Sequence, residues 1–326
     1  MNPFQYARAR DVHDALEAGR APGASYVAGG TSLLDLMKLG VEQPARIVDV
    51  NAVQYQKVEE TADGISIGAL VRNSDAAEHP LVKARYPALA QALLSGASPQ
   101  LRNMASMAGN LRQRTRCPYF REMGSPCNKR RPGSGCAALE GYNRVHAILG
   151  VSSSCIAVHP SDLCVALVAF DASVHTERVS GRRVIPMADF HRLPADHPEI
   201  ETVLEPGEFI THITLPAKPF FARSCYVKAR DRASFAFALA SSAVALDIVE
   251  GKIADARVAV GGVATKPWRC SASERALVGA PATAASFERA AAASVAQAQP
   301  RKHNAFKVEL LKSIVRRALS SAAGIA

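Results

Sequence analysis

Between Leu111 and about Val151 every regular hydrophobic pattern stops, and the chain becomes rich in Arg, Pro, Gly and Cys. A patternless stretch of this length is uncommon inside a compact domain unless it is functional or disordered, so the ordered pieces on either side must fold around it. They have the means to do so. The 326 residues are 48% hydrophobic and 21% charged, a composition that buries one or two real cores and predicts a folded protein of two domains. No run approaches the roughly 20 apolar residues that cross a bilayer, so no membrane insertion is expected. The start, MNPFQYARAR, lacks the apolar run of a secretory signal, and the expectation is a chain with no export address of its own.

The flanks read as mixed strand and helix. Ser25 to Ala28 is apolar enough for a buried strand, Gly29 and Gly30 follow, and TSLLDLMKLG has helical spacing with Thr31 or Ser32 as its cap. Arg46 to Val50 and GISIGAL predict strands; Ser74 to His79 and Pro87 to Ser95 predict helices. Beyond the irregular stretch, SCIAVHPSDLCVALVAFDASVHT predicts strand, capped apolar helix and strand. A break falls near PAKPF. After it come strand-like runs (AVALDIV, ARVAVGGV), an alanine-rich helix near 282–298 and a terminal helix from about Asn304, with Phe306, Leu310, Ile314 and Leu319 at helical spacing. The expected class is α+β rather than an all-parallel sheet, with a separate C-terminal domain of a small sheet and helices.

The net charge of +10 is concentrated rather than spread. From Arg112 to His146 eight Lys/Arg stand against two acids, in the same span as three cysteines. Such a segment is a solvated basic loop, a nucleic-acid surface, or charge compensation for a thiolate-bound cluster, whose net negative charge nearby cations stabilise. Seven cysteines, an odd number without a CxxC pair, argue against a disulfide framework. Four of them sit in RCPYF, PCNKR, SGCAA and SSCIA, separated by 10, 9 and 19 positions. Zinc knuckles draw cysteines in closer pairs, and common ferredoxin signatures are also absent, so spacing leaves cluster, metal and unligated thiols all open. Cys164, Cys225 and Cys270 lie in apolar or ordinary contexts and read as buried thiols.

Two loops suggest a dinucleotide cradle. VAGGTSLLDL places two glycines between strand and helix, where backbone N–H groups can meet a pyrophosphate, although the spacing is not GxGxxG and a glycine pair at a strand end is more often just a turn. SMAGNLRQ sets Gly109 beside Asn110. Asp162, just before an apolar run, is either a helix-cap or first-turn acid, or an acceptor for sugar-like hydroxyls. The histidines are scattered and neither HExxH nor GxSxG occurs, so no catalytic residue is assigned.

Taken together, VAGGTSLLDLMKLG, GALVRNSD, SMAGNLRQRTRCPYF, CNKRRPGSGCAALEGYNRVHAILG, CIAVHPSDLCVAL, KARDRASFAFAL and GGVATKPWR resemble the FAD-binding subunits of the xanthine dehydrogenase family, colinearly over almost the whole chain. Within it, the resemblance is strongest to the FAD and 4Fe-4S subunits of bacterial periplasmic aldehyde oxidoreductases. It implies a two-part FAD-binding domain of the vanillyl-alcohol-oxidase (PCMH) type over 1–218, with an iron-sulfur insertion at about 112–156. A C-terminal domain of the CO dehydrogenase flavoprotein type would follow over 219–326. It places FAD on Ala28, Gly29, Gly30, Thr31, Ser32, Leu33 and Leu34 at the pyrophosphate and on Ser106, Gly109 and Asn110 at a second face. Asp162 would serve the ribityl chain, Lys228 the flavin side, and Ile210 the isoalloxazine. Cys117, Cys127, Cys136 and Cys155, all inside the insertion, become the cluster ligands. Met107 and Ala108 stand where many relatives have a glycine, a departure that bears on the second loop.

The implied partners are a large molybdenum cofactor subunit that oxidises an aldehyde and a small subunit with two 2Fe-2S clusters. This chain would be the electron-transfer subunit, handing electrons through FAD to an external acceptor. Export as the passenger of a signal-bearing partner would make it periplasmic, and otherwise it is cytoplasmic. Two other readings compete: a stand-alone flavin oxidase or NAD-linked reductase, and a zinc-binding basic module for nucleic acid, which would bind with steep salt dependence.

Overall fold

The computed structural model describes residues 1–325 and shows three sheets, each with its own helical cover. The first lobe alternates β1 (Gln5–Arg8), α1 (Val12–Gly19), β2 (Ala24–Val27), α2 (Leu33–Lys38) and β3 (Arg46–Asp49). Its strands run parallel in the order β1-β3-β2, with β2 and β3 in register from Ala24 opposite Arg46 to Val27 opposite Asp49. Parallel neighbours need crossover connections, and α1 and α2 supply them. The other two sheets are antiparallel, so the chain as a whole is α+β, as expected, rather than all-parallel.

The second lobe begins with the hairpin β4 (Val58–Thr61) and β5 (Gly64–Gly68), then the helices α3 (Asn73–Glu78), α4 (Pro80–Arg85), α5 (Pro87–Ser95), α6 (Pro99–Met104) and α7 (Met107–Leu111). Proline opens α4, α5 and α6, where its missing N–H costs nothing. The single turn α8 (Pro118–Arg121) lies in the irregular stretch, and regular structure resumes at α9 (Asp162–Ala169). Then come β6 (Ser173–Arg178), β7 (Gly181–Pro186), α10 (Met187–Phe190) and β8 (Phe209–Pro216), giving a five-stranded sheet β4-β5-β8-β6-β7. Every residue of α9 is buried, so it runs through the core between lobes rather than along a surface. The strand expected just before α9 does not form: Cys155 to Pro160 is extended but pairs with no sheet.

The third sheet, β12-β11-β10-β9, comprises β9 (Ser224–Ala229), β10 (Ala240–Val249), β11 (Lys252–Gly261) and β12 (Trp268–Arg269). Against it pack α11 (Ser271–Leu277), α12 (Ala284–Ala293) and α13 (Phe306–Ala323). The stripe of α13 that faces inward holds Leu311, Ile314, Val315, Ala318 and Leu319, all buried; Leu310, also at helical spacing, is half-buried against the same core, and Phe306 is exposed. The irregular stretch forms a small apolar core of its own around Phe120, Ala138 and Ile156, joined by Leu36 from α2. Its far end is stitched to the third sheet: Ile148 and Leu149 donate N–H to Val263 O, and His159 donates to Ala264 O.

Candidate cofactor cradle and cysteine cluster

A cavity of about 190 Å³ opens between the first two lobes. One wall is the β2–α2 turn, from Ser25 to Leu33 with Leu36; the other carries Ser106, Ala108, Gly109, Arg112, Phe209 and Ile210. The turn has its shape for two reasons. Gly30 adopts φ +71°, open to glycine at little cost, and a Cβ on Gly29 would stand 1.8 Å from the Met104 carbonyl oxygen at the end of α6. Ser32 occupies the cap position of α2, yet its hydroxyl accepts nothing from the helix, contrary to the expected cap. In consequence the backbone N–H groups of Gly29, Gly30, Thr31, Ser32 and Leu33 have no acceptor among the described residues. A row of free N–H groups around a left-handed residue is an anion-binding nest, and it fits a dinucleotide pyrophosphate.

The second glycine lies inside a helical turn rather than a loop. Ser106 caps α7, its Oγ accepting from Gly109 N at 3.2 Å, and Met107 N and Ala108 N are anchored to the carbonyls of Val71 and Ala69. Asn110 points away from the cavity and accepts from Ser161 Oγ at 2.7 Å, tying α7 to the start of α9. Of the residues that the resemblance assigns to FAD, Ala28 to Leu33, Ser106, Gly109 and Ile210 line this cavity. Leu34, Asn110, Asp162 and Lys228 do not. Leu34 packs under Gly30.

Asp162 and Lys228 form a second polar centre with Tyr226. Ser161, not Asp162, caps α9, its Oγ accepting from Cys164 N. The Asp162 carboxylate accepts from Tyr226 Oη at 2.6 Å and pairs with Lys228 Nζ at 2.7 Å, and Lys228 also donates to Ser95 O. Burial, followed by the neighbouring Asp162, pushes the Tyr226 phenol well above its usual value, so it stays a donor. This triad joins the second lobe to the third sheet beside Gly96.

The folded irregular stretch brings its four cysteines into one place. Cys117, Cys127 and Cys155 are buried in its small core with Cys136 packed against them, and Cys127 and Cys136 face each other across an isolated bridge. Burial raises the Cys117 thiol to about 12, with Cys127 and Cys155 adding to it; burial likewise raises Cys155 to about 11, against the pull of Lys129. His146 Nε2 lies 3.1 Å from Cys117 Sγ. Cys164 belongs to α9 and is fully buried. The donor set suits soft metal chemistry. A single zinc would draw its sulfurs close, with Zn–S near 2.3 Å, yet no three of these thiols lie mutually within 4.8 Å among the described residues. A cluster of several irons spreads its ligands more widely.

The set whose donor atoms do approach within 4.8 Å is His159, Cys164 and His191. There His191 donates from Nε2 to Leu111 O at 2.9 Å, and Ser161 N–H donates to His159 Nδ1 at 3.4 Å. These bonds leave His159 an N–H and His191 a lone pair, complementary hydrogen-bonding edges rather than two free lone pairs.

The basic segment is not a basic surface. Arg114 pairs with Glu42 and with Glu201 at 3.2 Å, Arg116 and Arg121 with Asp35, Lys129 with Glu201 at 2.7 Å, and Arg144 with Asp231 at 2.7 Å. Arg130 is spent on the carbonyls of Tyr119, Phe120 and Met123. The acids come from distant positions in sequence, which is why counting charge along the segment overstated it. Arg112, on the cavity wall, makes no ion pair or side-chain hydrogen bond among the described residues.

Comparisons with known proteins agree with this architecture. Residues 2–218 match the FAD binding domain in molybdopterin dehydrogenase, and residues 224–322 match the CO dehydrogenase flavoprotein C-terminal domain. The chain is 50% identical over 326 residues to the aldehyde oxidoreductase FAD-binding subunit of Escherichia coli (strain K12), covering 99% of each. It is 28% identical to the glyceraldehyde dehydrogenase medium chain of Sulfolobus acidocaldarius, over 85% of this chain and 81% of that one. A solved carbon monoxide dehydrogenase chain from Hydrogenophaga pseudoflava superposes with a TM-score of 0.77 at 26% identity, covering 99% of both.

Proposed function

Because the chain belongs to the FAD-binding medium subunits of the xanthine dehydrogenase family, oxidoreductase subunits of molybdenum hydroxylases, we propose that it is the electron-transfer subunit of an aldehyde oxidoreductase carrying both FAD and a 4Fe-4S cluster. Bound in the cradle, FAD supplies two-electron redox chemistry that can be delivered one electron at a time. The chain's own part is binding, orientation and electrostatics. The N–H groups of Gly29 to Leu33 hold the pyrophosphate, Ile210 and Phe209 give the cavity an apolar wall, and the Asp162–Lys228–Tyr226 centre meets the ribityl and flavin end.

The observation that carries the cluster is the convergence of Cys117, Cys127, Cys136 and Cys155 from positions far apart in sequence into one small core. Cations beside that core, Lys129 among them, offset the negative charge such a group brings. Its partners are a molybdenum cofactor subunit and a small 2Fe-2S subunit, with an external acceptor taking the electrons. Periplasmic location as a passenger of a signal-bearing partner belongs to the same proposal.

The test is the absorption spectrum with iron, sulfide, zinc and released-flavin assays on anaerobically purified protein. Flavin with about four irons per chain supports the reading. Zinc without flavin sinks it in favour of a zinc module. Replacing any of Cys117, Cys127, Cys136 or Cys155 with Ser should remove the iron, while Cys164→Ser keeps it.

A further inference from the structure

The free backbone N–H groups of the β2–α2 turn carry only partial charges, and α2, six residues long, adds little dipole. A dinucleotide pyrophosphate brings two full negative charges into a cavity walled largely by apolar groups, where a charge without a counter-ion is costly. The cavity does hold a cation that no protein acid claims. Its two carboxylates are already engaged: Glu42 pairs with Arg114, and Glu208 pairs with Arg183 at 2.6 Å and accepts from Thr176. Arg112 faces the same space with neither an ion pair nor a side-chain hydrogen bond among the described residues. The residue is exposed, so the side chain is open to a ligand at the cavity wall.

Its position is fixed from both sides. Arg112 is the C-cap of α7, its N–H bonded to Ala108 O, and α7 is held by the Ser106 cap and the Val71 and Ala69 carbonyls. Two residues later Arg114 is pinned by Glu42 and Glu201. The backbone that carries Arg112 at the cavity wall is therefore anchored at each end.

We propose that Arg112 is the counter-ion of the cofactor's pyrophosphate, furnished by the first residue of the cysteine-bearing insertion. This rests on the FAD reading and deepens it: the segment that carries the cysteines also completes the cradle. A planar guanidinium suits the task, since it offers paired donors to phosphate oxygens.

The test uses the full-length chain stripped of flavin, titrated by calorimetry with FAD, with ADP and with riboflavin, which lacks any phosphate. Arg112→Gln should weaken FAD and ADP by about tenfold or more, the loss of a charge-assisted bond, and leave riboflavin unchanged. Arg112→Lys should recover part of that loss, and ADP affinity should fall less steeply with added salt in the Gln variant than in the wild type. If FAD and ADP bind Arg112→Gln as they bind the wild type, the assignment is wrong. Equal weakening of all three would also overturn it, because that result marks a packing role. A wild-type chain that binds none of the three would instead remove the FAD reading beneath it.

Discussion

At the scale of single residues the cradle depends on what is missing as much as on what is present. Gly29 lacks a Cβ because the Met104 carbonyl oxygen occupies that place, 1.8 Å from where the atom would be. Gly29→Ala must therefore push the turn or the end of α6 aside, at a cost of about 1–3 kcal/mol, and should release FAD on gel filtration. Retention of flavin by a normally stable Gly29→Ala chain would show that the turn does not hold the cofactor. Asp162 is the opposite case, a residue whose contacts are all made. Asp162→Ala leaves Lys228 buried without its partner, which should cost about 3–5 kcal/mol in urea unfolding and weaken FAD retention. Losing stability with unchanged flavin content would confine Asp162 to holding the lobes together. The glycine pair could be read from the sequence because a strand, two glycines and an apolar helix follow one another locally. Arg112 could not, since eight cations in one segment look alike until the structure shows which of them have found acids.

At the scale of elements, the irregular stretch is a folded segment pinned at both ends rather than a solvated loop. Its entry is held by Glu201, which takes Arg114 and Lys129. Burial alone would raise the Glu201 carboxyl, but Lys129 and Arg114 outweigh it and hold the group below its usual range. A lowered folded pKa gives stability that is present above the unfolded value of about 4.3 and lost as pH falls through the folded one. Stability measured against pH should fall in acid more steeply for the wild type than for Glu201→Gln, with the difference confined to that window; parallel curves would mean the pair contributes nothing there. Pro87 to Ser95 was read to the residue because proline marks its start. The strand expected before α9 was misplaced because the extended run Cys155 to Pro160 finds no neighbouring strand and bonds instead to turns, as when Ala147 N–H reaches Ile156 O. The meeting of four cysteines was likewise invisible in spacings of 10, 9 and 19, because the fold of the loop decides it.

At the scale of the whole molecule, the competing readings make different demands on the surface and on the cavity. A nucleic-acid module needs a continuous basic face, and the segment's cations are mostly consumed by Asp35, Glu42, Glu201 and Asp231. A self-contained oxidase needs groups beside the flavin that can accept a proton from a bound substrate. Besides backbone amides and apolar side chains the cavity is lined by hydroxyls, Arg112 and Arg114; its acids, Glu42 and Glu208, are locked to arginines, Tyr26 Oη is bonded to the carbonyls of Ala15 and Gly207, and no histidine is among its lining residues. A cavity between two lobes with its acids engaged instead suits a subunit that receives electrons produced elsewhere. Anaerobic addition of an aldehyde to the isolated, FAD-loaded chain should therefore leave the flavin absorbance unchanged, whereas the same aldehyde should bleach it once the molybdenum and 2Fe-2S subunits are added. Bleaching by the chain alone would establish a substrate site on this polypeptide and favour the stand-alone oxidase.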